Sequence, residues 1–254
     1  MGAIVSASLP LAGAATLTFQ SGVSPDSGYT ASDTMIRGDG TGNSANNYGA
    51  GTYNIVGTVP VGALRALFSY SLAGIPTDAI ITSVTLTIVG ERSDSTSPAG
   101  SVAYNLHQLN GTFEEGSGGL TGSSTVGGAT WANSASGTAW SNPGGDFNST
   151  VLSSISVNTR SADEISYTFG STPELVAAAQ NALANGGDLS MLMKINDTSE
   201  ALASRNVFFF YGDDAATADA AKRPILTITY IPEPSAVASA ALGGLLLLGR
   251  RRRK

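Results

Sequence analysis

The sequence contains no cysteine, and its 254 residues include a single histidine. Without cysteine there is no disulfide and no thiolate metal site. One histidine excludes a His-rich metal motif and leaves at most one imidazole to act as the base of a nucleophilic triad. Charge is scarce too. Asp, Glu, Lys and Arg make up 13% of the chain, about half of the ~25% usual in globular proteins. No Gly-x-Ser-x-Gly elbow, phosphate loop or EF-hand spacing occurs. What fills the chain instead is small and uncharged: 31 glycines alongside many Ser, Thr, Ala and Asn residues. That composition suits many short strands joined by turns in an extracellular setting. Hydrophobic residues still reach 42%, enough to bury a core without disulfides. The length allows one large β domain or two small ones.

The net charge is −6, but the signs are segregated. Five of the 13 basic residues are Arg250, Arg251, Arg252, Arg253 and Lys254, so the rest of the chain sets 8 basic against 19 acidic residues, a balance of −11. An acidic body argues against nucleic-acid binding, which needs a basic surface.

Period-2 alternation dominates the body, residues 16–230. Val84, Leu86 and Ile88 alternate with Thr85 and Thr87. The rows Ala66–Phe68–Tyr70–Leu72, Val102–Tyr104–Leu106, Leu189–Met191–Met193–Ile195 and Leu226–Ile228–Tyr230 repeat the pattern. Each predicts a strand with one face on a core. Val207 to Tyr211 is apolar throughout and predicts a strand buried on both faces. Gly38-Asp39-Gly40, Gly74-Ile75-Pro76, Asn142-Pro143-Gly144-Gly145 and Asn185-Gly186-Gly187 mark turns. One helix is expected, capped by Thr172, with Pro173 at its first position, Glu174 in its first turn and Asn185-Gly186 at its end. The sum is an all-β chain of one domain, a jelly-roll-type β-sandwich with one short helix.

The order of landmarks along the body resembles the DNRLRE domain family. It runs through Asp33-Thr34-Met35-Ile36-Arg37-Gly38, Asn46-Asn47-Tyr48-Gly49, Phe113-Glu114-Glu115-Gly116, Ala129-Thr130-Trp131-Ala132-Asn133 and Thr138-Ala139-Trp140. Phe210-Tyr211-Gly212-Asp213-Asp214 and Arg223-Pro224 close it. Phe113 stands where that family usually carries Trp. The resemblance implies a jelly-roll fold related to carbohydrate-binding modules.

The two ends read as addresses. Residues 1–15 are small and apolar, and Ala12-Gly13-Ala14 fits a signal-peptidase site. They are expected to be the back half of a signal peptide, with a plain first strand as the alternative. Residues 231–254 begin with Ile231-Pro232-Glu233-Pro234, held extended by its prolines. An uncharged stretch, residues 236–249, follows, and the basic cluster ends the chain. As a helix at ~1.5 Å per residue that stretch spans about 21 Å, short of a ~30 Å bilayer core unless the arginines snorkel. The basic cluster should stay cytoplasmic. Pro232, Glu233 and Pro234, the apolar segment and Arg250 to Arg253, in this order, resemble the PEP-CTERM sorting signal of Gram-negative-type bacteria. That resemblance implies cleavage near Pro-Glu-Pro by an exosortase, a membrane-embedded cysteine peptidase, and association with extracellular polysaccharide. The alternative is an ordinary C-terminal membrane anchor.

Candidate sites are few. Trp131, Trp140, Tyr48 and Tyr29 offer ring faces for stacking on sugars, against a competing role in the core. Loop aspartates at positions 26, 33, 39, 213, 214 and 219 resemble the oxygen donors that Ca2+ takes from loops. Asp33 and Asp39 lead that set, and turn formation is the competing reading. Glu114 and Glu115 are adjacent, so they should point apart and cannot by themselves form a glycosidase pair. His107 is expected on the polar, solvated side of its strand. Arg37-Gly38-Asp39 and the glycosylation sequons at Asn148 and Asn196 carry no weight in a chain of the bacterial kind that the tail resemblance implies. The expectation is a non-catalytic exported protein that binds or sits within extracellular polysaccharide. A structural surface protein without a defined ligand and a carbohydrate-active enzyme using Tyr or His107 are the alternatives.

Overall fold

The computed structural model describes residues 13–232, apart from positions 41, 125, 126 and 203. The expected signal-peptide residues through 12, the expected C-terminal hydrophobic helix, and Glu233, Pro234, Arg250, Arg251, Arg252 and Arg253 lie outside the described residues. Among the described residues no helix is long and apolar enough to cross a membrane.

The chain is mostly β, with few short helices. Its strands are β1 (Ala15–Phe19), β2 (Ser32–Arg37), β3 (Tyr53–Val59), β4 (Gly62–Ser71), β5 (Ile80–Arg92), β6 (Val102–Leu109), β7 (Asn133–Ala135), β8 (Thr138–Ala139), β9 (Phe147–Val157), β10 (Ser166–Phe169), β11 (Asp188–Ile195), β12 (Asn206–Tyr211) and β13 (Ile225–Ile231). Eleven of them form one large, curled antiparallel sheet in the order β1-β13-β5-β12-β3-β4-β11-β6-β9, with β10 also on β5 and β2 also on β4. β5 is the joint. Its first ten residues pair with β13 and β10, and its last three reach β12. The short β7–β8 pair stands apart.

The alternating rows behave as the pattern predicts on one face. Val84, Leu86 and Ile88 from β5, Phe68 and Tyr70 from β4, Met191 and Met193 from β11, and Phe208 and Phe210 from β12 enter one core. The helix α1 (Pro173–Ala184) adds Leu175, Ala178, Ala179 and Leu183 to it. Its ends are those the sequence predicts. Thr172 Oγ1 accepts from the Leu175 N–H at 3.1 Å, and Asn185 caps the far end. A one-turn helix, α2 (Asp197–Glu200), also forms. Its cap is Asn196, whose side chain accepts from Ser199 N–H at 3.0 Å.

β12 is buried on both faces, as its continuous apolar run predicts. β11 is too, contrary to the half-buried reading. Leu192, on the opposite face from Met191 and Met193, packs with Ile36, Leu67, Leu109, Ala129 and Trp140 in a second core. The long connection between β6 and β9 supplies that cover. Alternation cannot reveal it, because the covering segment comes from elsewhere in the chain.

Candidate functional site

Two places concentrate polar and aromatic side chains. The first lies over the second core. The indole of Trp131 is half-buried, and the Arg65 guanidinium stands 5.1 Å from its ring centroid. Two glycines, Gly38 and Gly144, leave the room the ring needs: a Cβ at either would come within 2.6–2.8 Å of Trp131 carbons. Gly144 also needs its positive φ of 97° for the turn. Trp131 is thus wedged between an arginine and the backbone. Trp140 is 6% exposed, and its indole N–H donates to the Thr130 carbonyl at 3.0 Å. Tyr48 is 1% exposed. Tyr29 packs on Phe19 and donates its hydroxyl to the Ser71 carbonyl. None of these four rings lies as an open platform: Trp131 and Trp140 pack with the second core, Tyr29 packs against the first, and Tyr48 is buried.

Beside Trp131 runs an open groove of about 410 Å³, with Arg65, Asn110, Asn142, Asp146, Phe147 and Ser149 in its walls. Phe147 forms its apolar wall and lies within 5.1–5.6 Å of His107, Arg65 and Lys194. Asp146 is occupied in its own turn, accepting from Ser141 and Asn142 N–H groups. Those backbone bonds hold its carboxyl below the usual range.

His107 corrects the sequence reading. It is buried, not solvated. The β6–β9 register slips on either side of it, and the start of β9 folds over the ring. Nδ1 lies 3.0 Å from the Asn148 carbonyl and 3.2 Å from that of Thr150, which makes it the protonated nitrogen. Among the described residues neither a Tyr nor a Ser hydroxyl is bonded to it.

The second place is a group of four carboxylates. Asp33 sits on β2 and is 3% exposed. Its Oδ1 accepts from Asn54 Nδ2 at 2.6 Å and its Oδ2 from the Asp213 N–H at 2.8 Å. Its own N–H donates to Glu115 Oε1 at 2.9 Å. Asp33 therefore holds both of its acidic neighbours in place. Glu115, Asp213 and Asp214 each bring a carboxylate oxygen to within 4.8 Å of the others. Asp213 is 8% exposed, and its Oδ1 has no hydrogen-bond partner. Burial, followed by the charges of Asp33, Glu115 and Asp214, pushes its pKa strongly upward. Burial raises Asp33, Glu115 and Asp214 as well.

Asn47 positions Glu115. It is fully buried and makes four bonds: Nδ2 donates to the carbonyls of Glu115 and Ala129, and Oδ1 accepts from Gly49 and Gly118 N–H. The adjacent Glu114 turns away, accepting from Ser136 N–H at 3.0 Å, as the alternation of neighbouring side chains predicts.

Of the two aspartates that lead the sequence-based Ca2+ set, Asp33 belongs to this group and Asp39 does not. Asp39 is locked in a two-pronged ion pair with Arg37, at 3.0 and 2.5 Å. That pair also closes the Arg37-Gly38-Asp39 tripeptide on itself. Asp213 and Asp214 are among the loop aspartates noted in the sequence. Glu115 is new to the set, and long-range bonds bring it there, from Asn47 to its carbonyl and from the Asp33 N–H to its carboxylate.

No protein-family model matches this chain, and no curated protein matches it in sequence.

Proposed function

We propose that this is an exported, non-catalytic β-sandwich protein of the cell surface or extracellular matrix, associated with extracellular polysaccharide. On this reading its body is a jelly-roll relative of the DNRLRE domains, and its tail directs exosortase sorting. The observation that carries it is the ordered C-terminal series of Pro232, Glu233 and Pro234, an uncharged stretch, and Arg250 to Arg253. The body supports it more weakly. Its surface is acidic and poor in charge, and among the described residues the one imidazole is buried away from any hydroxyl nucleophile. If a glycan is bound, the Arg65–Phe147 groove is the place for it, because Asn110, Asn142 and Ser149 offer hydrogen bonds beside an apolar wall.

A second reading, a structural matrix protein without a ligand, is favoured by the packing of Tyr48 and Trp140 into the interior. A glycan panel presented to the purified protein separates the two. Retention on an acidic or neutral polysaccharide, lost in Phe147→Ala, is the expected result. No retention across the panel removes the polysaccharide reading and leaves the structural one. Sorting is tested separately: Glu233→Ala should leave an uncleaved tail in the membrane fraction. Normal release of that variant would remove the exosortase reading.

A further inference from the structure

We propose that Glu115, Asp213 and Asp214 form a Ca2+ site, oriented by Asp33, that ties together segments far apart in the chain. The donor geometry comes first. Three carboxylate oxygens lie within 4.8 Å of one another. Ca2+–oxygen bonds of ~2.3–2.6 Å place opposed ligands about 4.6–5.2 Å apart, so an ion fits among them with little movement. The second observation is independent of the clustering. Asp213 is 8% exposed, and its unpartnered Oδ1 belongs to a carboxylate that faces those of Glu115 and Asp214. A buried carboxyl oxygen without a donor is rare and calls for a partner.

No side chain supplies that partner. Among the described residues Asp39 has Arg37 as a basic partner, Asp94 has Arg205, and Glu200 has Arg65 and Lys194, while Asp146 has two backbone N–H donors instead. Among the same described residues Asp33, Glu115, Asp213 and Asp214 have no ion pair with Lys or Arg. The nearby Arg223 spends its donors on the carbonyls of Ser21 and Ala215.

The ligand chemistry selects the ion. All donors are oxygens, which suit a hard cation and not Zn2+ or Cu2+. The set is irregular and open on the side of the exposed Asp214. Ca2+ accepts six to eight ligands in such a geometry and completes its shell with water, whereas Mg2+ demands a near-ideal octahedron. Asp33 is the positioning residue. Its carboxylate is already engaged by Asn54 and Asp213 N–H, 21 and 180 residues away, while its N–H holds Glu115, 82 residues away.

The test uses the full-length chain, stripped with EDTA and then titrated with CaCl2 by calorimetry and thermal unfolding. One ion per chain is expected, with Kd of about 10⁻⁴–10⁻³ M as in extracellular modules. At ~10 mM CaCl2 the Tm should rise by about 3–10 °C. MgCl2 should give a smaller rise, and NaCl at equal ionic strength none. Glu115→Gln and Asp214→Asn should each weaken binding at least about tenfold. Glu114→Gln, on the carboxylate that points away, should bind as the parent does. Asp213→Asn should melt in EDTA no lower than the parent yet lose the response to Ca2+. If that variant does not fold, the Glu115 and Asp214 variants decide alone. The proposal is overturned by no binding and no Tm shift, by a shift that NaCl reproduces, or by full binding in both Glu115→Gln and Asp214→Asn. Protons would then be what neutralises the group.

Discussion

At His107 a neutral imidazole is enclosed between β6 and the start of β9. Nδ1 faces two carbonyls, and Nε2 has no partner. Burial holds its pKa below the ordinary 6.5, and the charge of Lys194 acts in the same direction. The Asn148 and Thr150 carbonyls and Asp197 oppose the shift. Phe147 covers the remaining face. Because the folded-state pKa is lowered, the unfolded chain binds more protons below pH ~6.5. The stability due to the neutral ring is therefore full above that pH and is lost as pH falls towards the folded value. His107→Gln removes this dependence. Urea unfolding at pH 7.5 and 5 should show the parent losing more stability than the variant on acidification. An equal loss in both would mean that the ring is solvated. The sequence placed this histidine on a polar face because strict alternation assumes an unbroken register. The slips beside His107 break it. Asn47 is a similar case: its position in Asn46-Asn47-Tyr48-Gly49 was visible, but three of its four bonds depend on a connection 68 to 82 residues on, at Glu115, Gly118 and Ala129.

Among the elements, β11 departs furthest from its pattern. Lys194 is 5% exposed at its side chain yet lies at a polar position of the alternation. It is tolerated because α2 returns two carboxylates to it, Asp197 at 2.5 Å and Glu200 at 2.7 Å. Glu200 also takes both prongs of Arg65, at 3.0 and 2.9 Å, and so serves two cations at once. Its removal strands buried charge, whereas Asp197 is 88% exposed at its side chain. Glu200→Ala is expected to destabilise the protein by about 2–4 kcal/mol. Asp197→Ala is expected to cost less than about 1 kcal/mol. Equal urea midpoints for the two variants would contradict this account. The strands themselves, and α1 with both of its caps, were legible because period and capping chemistry are local. The second buried face of β11 was not, because it depends on a distant connection.

For the molecule as a whole, β5 decides whether the curled sheet behaves as one unit. At Gly90 the strand passes from the β13 and β10 side to β12. A Cβ there would lie 1.9 Å from the Ala162 carbonyl oxygen, so no larger residue fits without moving the Ala162–Ile165 turn. Gly90→Val should destabilise by about 2–4 kcal/mol. It should lower the far-UV and near-UV circular dichroism transitions together, since both parts of the sheet share the strand. Two separated transitions would show that the parts unfold independently. Local periodicity and composition by themselves determined the β class, the helix and the acidic balance of the body, since all of these are short-range properties of the chain. Only the tertiary structure decided that Tyr48 and Trp140 are packing rather than platforms, that Asp39 is spent on Arg37, and that Asp33 meets Glu115, Asp213 and Asp214. Those outcomes depend on which distant segments fold onto one another, and no spacing within a single segment encodes that.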